Sequence, residues 1–286
     1  MQTSTVSERP PIEPLVKSCF KVPGSTVQFT AACFEGSNWS LGPLQEPEDV
    51  AKNPDLAERL NNALRGLGAT IAMAPNPTAF NGQVISPVDL TRNLKLGEVH
   101  MRCNRSWPAD ATFLHYYGNA GVFSAGGCGV MVIGYRNQLM FGHAGRESLI
   151  DRRCVETEGQ DRSRSGDLVD NMLDALDVDI DTAKDVWAWP LFFIKPQDFV
   201  HRFDDPDARH APYNQAAARY LPRTFAEFGW IDSEAIYIDL PKIATSQLMK
   251  RGVPRNNINL DHAYLADELP TTRKGGGRYL VAIVRC

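Results

Sequence analysis

"SAGGCGVMVIGYRNQLMFGHAG" runs from Ser124 to Gly145 and decides how the chain is read. Two apolar runs, GVMVIG and QLMFGH, flank a turn at Tyr135–Arg136–Asn137, the signature of a β-hairpin. The stretch holds one cysteine, Cys128, and one histidine, His143, each beside small residues. A turn centred between Tyr135 and Arg136 places the two opposite each other. Opposed Cβ atoms lie about 4.5–5.5 Å apart, near enough for a thiol and an imidazole to exchange a proton or share a metal ion. A histidine that takes the thiol proton leaves a thiolate, the nucleophilic form of cysteine. Gly126 and Gly127 leave room for a substrate before the sulfur. The plainer alternative is a buried thiol and a core imidazole. A one-residue slip would send the pair to opposite faces. Spacing alone leaves both readings open.

Outward from the hairpin, strands and helices alternate without repeats. STVQFTAACF, ATIAMA, GEVHMRC, VWAWPLFFI, NINL and RYLVAIV read as strands. NPDLAERLNNALRGLG reads as a helix capped by Asn53, with Pro54 at its first position and an apolar stripe of Leu56, Leu60, Leu64 and Leu67. SGDLVDNMLDALDV and LPKIATSQLMKRGV read as two further helices, the last with Pro241 near its start and Gly252 at its end. HRFDDPDARHAPYNQ reads as an exposed loop. Local hairpins argue against a purely parallel sheet. The expected class is α/β in the broad sense, an α+β mixed sheet with surrounding helices. Residues 1–14 are polar and proline-rich and read as a flexible arm, with 15–286 as a single domain.

Of 286 residues, 43% are hydrophobic, enough for a sizeable core, and the net charge of −4 lacks the clustered basic footprint of a nucleic-acid partner. No apolar run approaches the roughly 18 residues of a membrane span, so no membrane partner is expected. The start has no apolar signal region. The six cysteines include no C-x-x-C pair, which argues against a zinc knuckle or thioredoxin-like motif and points to a reducing, cytoplasmic setting.

ADATFLHYYGNAGVFSAGGC followed by HAG resembles the laccase-domain family, also called YfiH-type, whose members are described as polyphenol oxidoreductases and purine nucleoside phosphorylases. Ala109-Asp110-Ala111, Cys128 and His143-Ala144-Gly145 fall at the positions of that family's pattern. NWSLG, IDLPKIATSQLMKRGVPRNNI and TTRKGGGRYLVAIV extend the resemblance over most of the chain and place Arg273 and Arg278 in its closing segment. The resemblance implies the laccase-domain fold, with zinc or copper held by His, Cys and His, so Cys128 and His143 would be ligands. Asn81, in AFNGQVI, stands where the first histidine ligand belongs, and asparagine suits zinc poorly. His100 could supply a replacement. Gly127 stands in place of an aspartate before the cysteine, HAGRES replaces the Trp-Arg-Gly continuation, and WPLFFIKP replaces a Gly-Pro-rich loop. SAGGC with His143 also resembles the Ser-Gly-Cys and histidine of cytotoxic-necrotizing-factor-type glutamine deamidases, which are related in fold and use no metal.

The resemblance thus ranks a purine nucleoside enzyme first, working by phosphorolysis or deamination. A metal-free Cys–His amide hydrolase acting on protein glutamine comes second, and an inactive relative kept for binding third. Asp110 either orients His143 or caps a turn. Arg146 could hold a phosphate or carboxylate, or lie in solvent. Arg273 and Arg278 bracket KGGG, which reads as a flexible loop with anion-binding capacity. Asn81, Arg146, Arg273 and Arg278 form the substrate-binding expectation. His115 could stack on a base or serve the fold, and Asp261 could set the tautomer of His262.

Overall fold

The run YLVAIVR, Tyr279–Arg285, is apolar at nearly every position, which suits a strand covered on both faces. The computed structural model describes residues 12–35, 39–75, 82–104, 109–160, 167–264 and 277–286. In it Tyr279, Val281 and Ile283 enter one core while Leu280, Ala282 and Val284 enter another. With strands numbered in chain order, this is β15 of a seven-stranded sheet that also holds β1 (Val16–Lys21), β2 (Gln28–Phe34), β3 (Ile71–Ala74), β5 (Arg92–Lys95), β6 (His100–Cys103) and β8 (Asn119–Ala125). The order is β1-β2-β15-β8-β3-β6-β5, with β3 parallel to β6 and β8 and the other pairs antiparallel.

A second sheet holds β4 (Val84–Ile85), β7 (Ala111–Phe113), β9 (Gly129–Tyr135), β10 (Gln138–Ala144) and β11 (Val186–Leu191), in the order β11-β9-β10-β7-β4. Apolar residues of both sheets, among them Phe29, Ile283, Met131 and Phe141, share the larger core. The helix Pro54–Gly66 covers the far face of the first sheet, where Leu60 and Leu64 meet Leu280 and Ala282. A small sheet of β12 (Val200–Arg202), β14 (Ala235–Ile238) and β13 (Gly229–Ile231) completes the molecule. Among the described residues no helix is long and apolar enough to cross a membrane.

The mixed architecture, the hairpin and the helices at Leu168–Ala175 and Leu240–Lys250 follow the sequence reading. Four details differ. Asn53 sits at the N-cap without capping by its side chain, because its amide donates to the carbonyls of Pro43 and Asp49. NINL makes only an isolated bridge, Ile258 to Ala188. The stretch taken as an exposed loop contains β12 and begins the helix His210–Thr224, whose Tyr213, Ala216, Ala217 and Leu221 are buried. The hairpin register is also displaced. Tyr135 stays in the ladder, paired with Gln138 and with Val186, and the loop is the two residues Arg136 and Asn137, with Arg136 at φ +53°. His143 therefore faces Val130, not Cys128. A displacement by two positions keeps the face, so Cys128 and His143 remain on one side.

Candidate functional site

The ladder of the second sheet assembles the site. Asp110 lies one residue before β7, which pairs with β10, and the His143 amide donates to the Asp110 carbonyl at 2.7 Å. That pairing brings the two side chains together, with His143 Nδ1 3.0 Å from Asp110 Oδ1. Asp110 is 1% exposed, and its other partners are the Gly82 amide, 2.7 Å from Oδ2, and the Ser148 hydroxyl, 2.9 Å from Oδ1. The Asn171 amide donates to the Gly82 carbonyl at 3.0 Å and steadies that segment in turn. The Gly82 amide and the Ser148 hydroxyl both donate to the carboxylate and fix its position.

On its other side the His143 ring hydrogen-bonds the Cys128 sulfur. The Phe123 ring stacks on the imidazole at 4.2 Å and 22°. Continuing the hairpin register past Ala144 and Gly129 sets Gly145 opposite Cys128. A Cβ on Gly145 would lie 2.6 Å from His143 Cε1, 3.0 Å from Nε2 and 3.4 Å from Cys128 Sγ. Only a residue without a side chain leaves thiol and imidazole in contact. Burial pulls the His143 pKa down, but hydrogen bonds and charge from Asp110 and Cys128 outweigh it and raise the pKa to about 9. The imidazole is buried while Cys128 is half-exposed, so the pair is open on the sulfur side only. Nδ1 fixed on a carboxylate and Nε2 left for a thiol is the arrangement of a Cys–His–Asp nucleophile set.

The other expected residues fall elsewhere. His100 aligns across the sheet with Asn119, at the start of β8, whereas Cys128 follows the end of that strand. Six residues of strand, roughly 20 Å, separate those levels. The structure does not bring His100 to the sulfur. Arg146 turns into the protein. Its guanidinium lies 4.4 Å from the centre of the Tyr213 ring and 2.7 Å from His201 Nδ1, and donates to Asn214 at 2.9 Å. Arg278 is exposed and donates to the Ser124 carbonyl at 3.3 Å. His115 is exposed and stacks on Phe113 at 5.2 Å. His262 meets Ser18 Oγ through Nε2 at 2.8 Å, while the Asp261 carboxylate accepts from Asn259. Asn81 and Arg273 lie outside the described residues.

Among the described residues no group of three His, Cys, Asp or Glu side chains converges as a metal would need. Cys128 and His143 supply two donors where catalytic zinc takes three. Among the described residues these two donors stand one short of a zinc or copper site. Sequence reasoning missed Ser148, Phe123, the Gly82 amide and the role of Gly145. Ser148, which follows the charged pair Arg146 and Glu147, carried no local signal. The Gly82 amide carried none.

The fold and the site together define an α+β protein of two large sheets and a small one, with a cysteine and a histidine at the open end of the β9–β10 hairpin. Solved structures with that fold exist. A DUF152 protein of Neisseria meningitidis matches at a TM-score of 0.59 and 16% identity, covering 95% of this chain and 99% of its own. YlmD from Geobacillus stearothermophilus matches at 0.55 and 15%, covering 91% and 92%. The Bacillus licheniformis hypothetical protein YfiH matches at 0.52 and 13%, covering 93% and 98%. At these identities the chain shares the YfiH-type fold, in agreement with the resemblance read from the sequence. No family model and no curated protein matches the chain.

Proposed function

We propose that this chain is a cysteine-dependent amide hydrolase, acting on a carboxamide such as the side chain of a protein glutamine. One observation carries the reading: His143 is held on Asp110 through Nδ1 and bonded to Cys128 on its other side. In the proposed cycle the Cys128 thiolate attacks the carboxamide carbon. The new C–S bond forms, the C–N bond breaks, and the His143 imidazolium gives its proton to the departing ammonia. Water then adds to the thioester carbon as His143 takes its proton; the C–O bond forms, the C–S bond breaks with sulfur leaving as thiolate, and the carboxylate product departs from the restored thiolate–imidazolium pair. The half-exposed sulfur admits a side chain, and the buried imidazole keeps its proton from bulk water. The purine nucleoside reading has less support, because it leans on fold alone and fold does not fix function.

The test is ammonia release from an unfolded glutamine-rich protein, with conversion of Gln to Glu read by mass spectrometry. The unmodified chain should release ammonia, and Cys128→Ala should lower the rate by about 10³-fold or more. Ammonia release that survives Cys128→Ala, or phosphate-dependent release of base from inosine with no ammonia from protein, overturns the proposal.

A further inference from the structure

The nucleophile lies at a break in its own sheet. β11 pairs with β9 only as far as Leu191 opposite Val130. The next residue, Phe192, turns to φ +63°, a left-handed conformation costly for a bulky side chain, and its amide bonds His262 instead. Antiparallel pairing therefore stops two residues short of Cys128, and the β11 ladder no longer provides for the carbonyls of Cys128 and Phe192. Both face one hydroxyl of the other sheet. The hydroxyl of Tyr279, on β15, lies 2.8 Å from the Cys128 carbonyl oxygen and 3.0 Å from that of Phe192, which share its single proton. Tyr279 is 1% exposed. On the other side of the cysteine, the Gly127 carbonyl accepts from the Ile194 amide at 3.2 Å, with Gly127 at φ +151°.

We infer that Tyr279 is a positioning residue for Cys128. It fixes the cysteine peptide from the neighbouring sheet and so aims Sγ at His143. The inference rests on reading Cys128 as the nucleophile. A carbonyl fixed at its oxygen stops the peptide from rotating, and rotation would swing Sγ away from the imidazole. Tyr279 touches neither sulfur nor ring and acts through the backbone alone. The same hydroxyl holds Phe192 in its left-handed turn, so one side chain both keeps the break in the sheet and orders the residue beside it.

The test is the pH dependence of Cys128 alkylation by iodoacetamide, followed by mass spectrometry of the Cys128 peptide. Three proteins are compared: the unmodified chain, Tyr279→Phe, and Asn61→Ala, which loses a buried hydrogen bond from the Val99 amide on the far face of the first sheet. Sulfate is added to all three, since it strengthens burial and keeps a weakened variant folded. In the unmodified chain the rate should persist well below the usual thiol range of about pH 8.5. Tyr279→Phe should slow alkylation about tenfold near pH 6.5 and move the acidic limb up toward that range, because a thiol turned from the imidazolium titrates as an ordinary one. Asn61→Ala, which leaves the buried Val99 amide without its acceptor, should lower the melting temperature without moving the limb. A Tyr279→Phe protein that melts lower but keeps the limb overturns the inference. The readout is thiol reactivity, not hydrolysis. A chain that alkylates as expected yet releases no ammonia defeats the proposed activity and leaves the role of Tyr279 standing.

Discussion

Two places in this molecule set a hydroxyl or thiol against a histidine nitrogen, and they differ in what stands behind the ring. At Cys128 and His143 the far nitrogen rests on Asp110, a carboxylate distant in sequence and buried by its donors. At Ser18 and His262 the contact is 2.8 Å, and the adjacent residue is also an aspartate. There the carboxylate of Asp261 is spent on Asn259. The Ser18 pair lies in an open groove of about 980 Å³ beside Lys21, Trp187 and Arg255. What separates the two is a fixed tautomer, and a residue next in the chain cannot supply it when its side chain is claimed elsewhere.

The comparison breaks most sharply at the two aspartates. Asp110→Asn leaves shape intact but offers His143 the wrong partner for its Nδ1 proton. Ammonia release should fall by about 10²–10⁴-fold, while Asp261→Asn should stay within about twofold by the same assay. Equal effects would erase the distinction. A smaller loss is expected at Gly145. A methyl there would press on His143 Cε1 at 2.6 Å, so Gly145→Ala should slow Cys128 alkylation about tenfold and cost about 1–3 kcal/mol on denaturant unfolding. An unchanged rate would mean that ring and sulfur do not meet at this point.

The smallest effect is one of stability against pH. The folded-state pKa of His143, about 9, lies above the ordinary histidine value of about 6.5. The protonated ring therefore stabilises the fold fully below about pH 6.5, and that contribution fades as pH rises through 9. The melting temperatures of the unmodified chain and His143→Gln should differ most at acid pH and converge in alkali. A gap on the order of 2 kcal/mol is expected at pH 6. The same scan on Ser18→Ala should run parallel to the unmodified chain, and a widening gap for His143→Gln in alkali would contradict the charge assignment.

Much of the fold was legible because its signals are local. The paired runs around Arg136, the unbroken apolar strand at Tyr279–Arg285 and the leucine stripe from Pro54 each carry their structure in a few residues. The helix His210–Thr224 was not legible. Its buried face mixes a tyrosine and an asparagine with two alanines and a single leucine, and its first turn carries a histidine and a proline that read as loop. In the site, Cys128 and His143 could be paired from the hairpin because a register error of two preserves the face. Asp110 was placed by resemblance, with its role left open between orienting His143 and capping a turn. Ser148 and Tyr279 could not be found. Ser148 joins the site through Asp110, 38 positions away, and Tyr279 reaches Cys128 from 151 positions away. No window of sequence contains both ends of either contact.

The tight loop at Arg136 and Asn137 sets a rule of inheritance for this site. Turns between strands gain and lose residues more freely than the strands do. Here a change that slips one strand by a single place would present His143 to the opposite side of the sheet from Cys128, whereas a slip of two would only slide it along the same side. Descendants that retain the chemistry are therefore confined to turn-length changes that conserve parity, and those that break parity keep the hairpin but lose its partner residue. The two classes would be separable by counting the residues between the cysteine and the histidine.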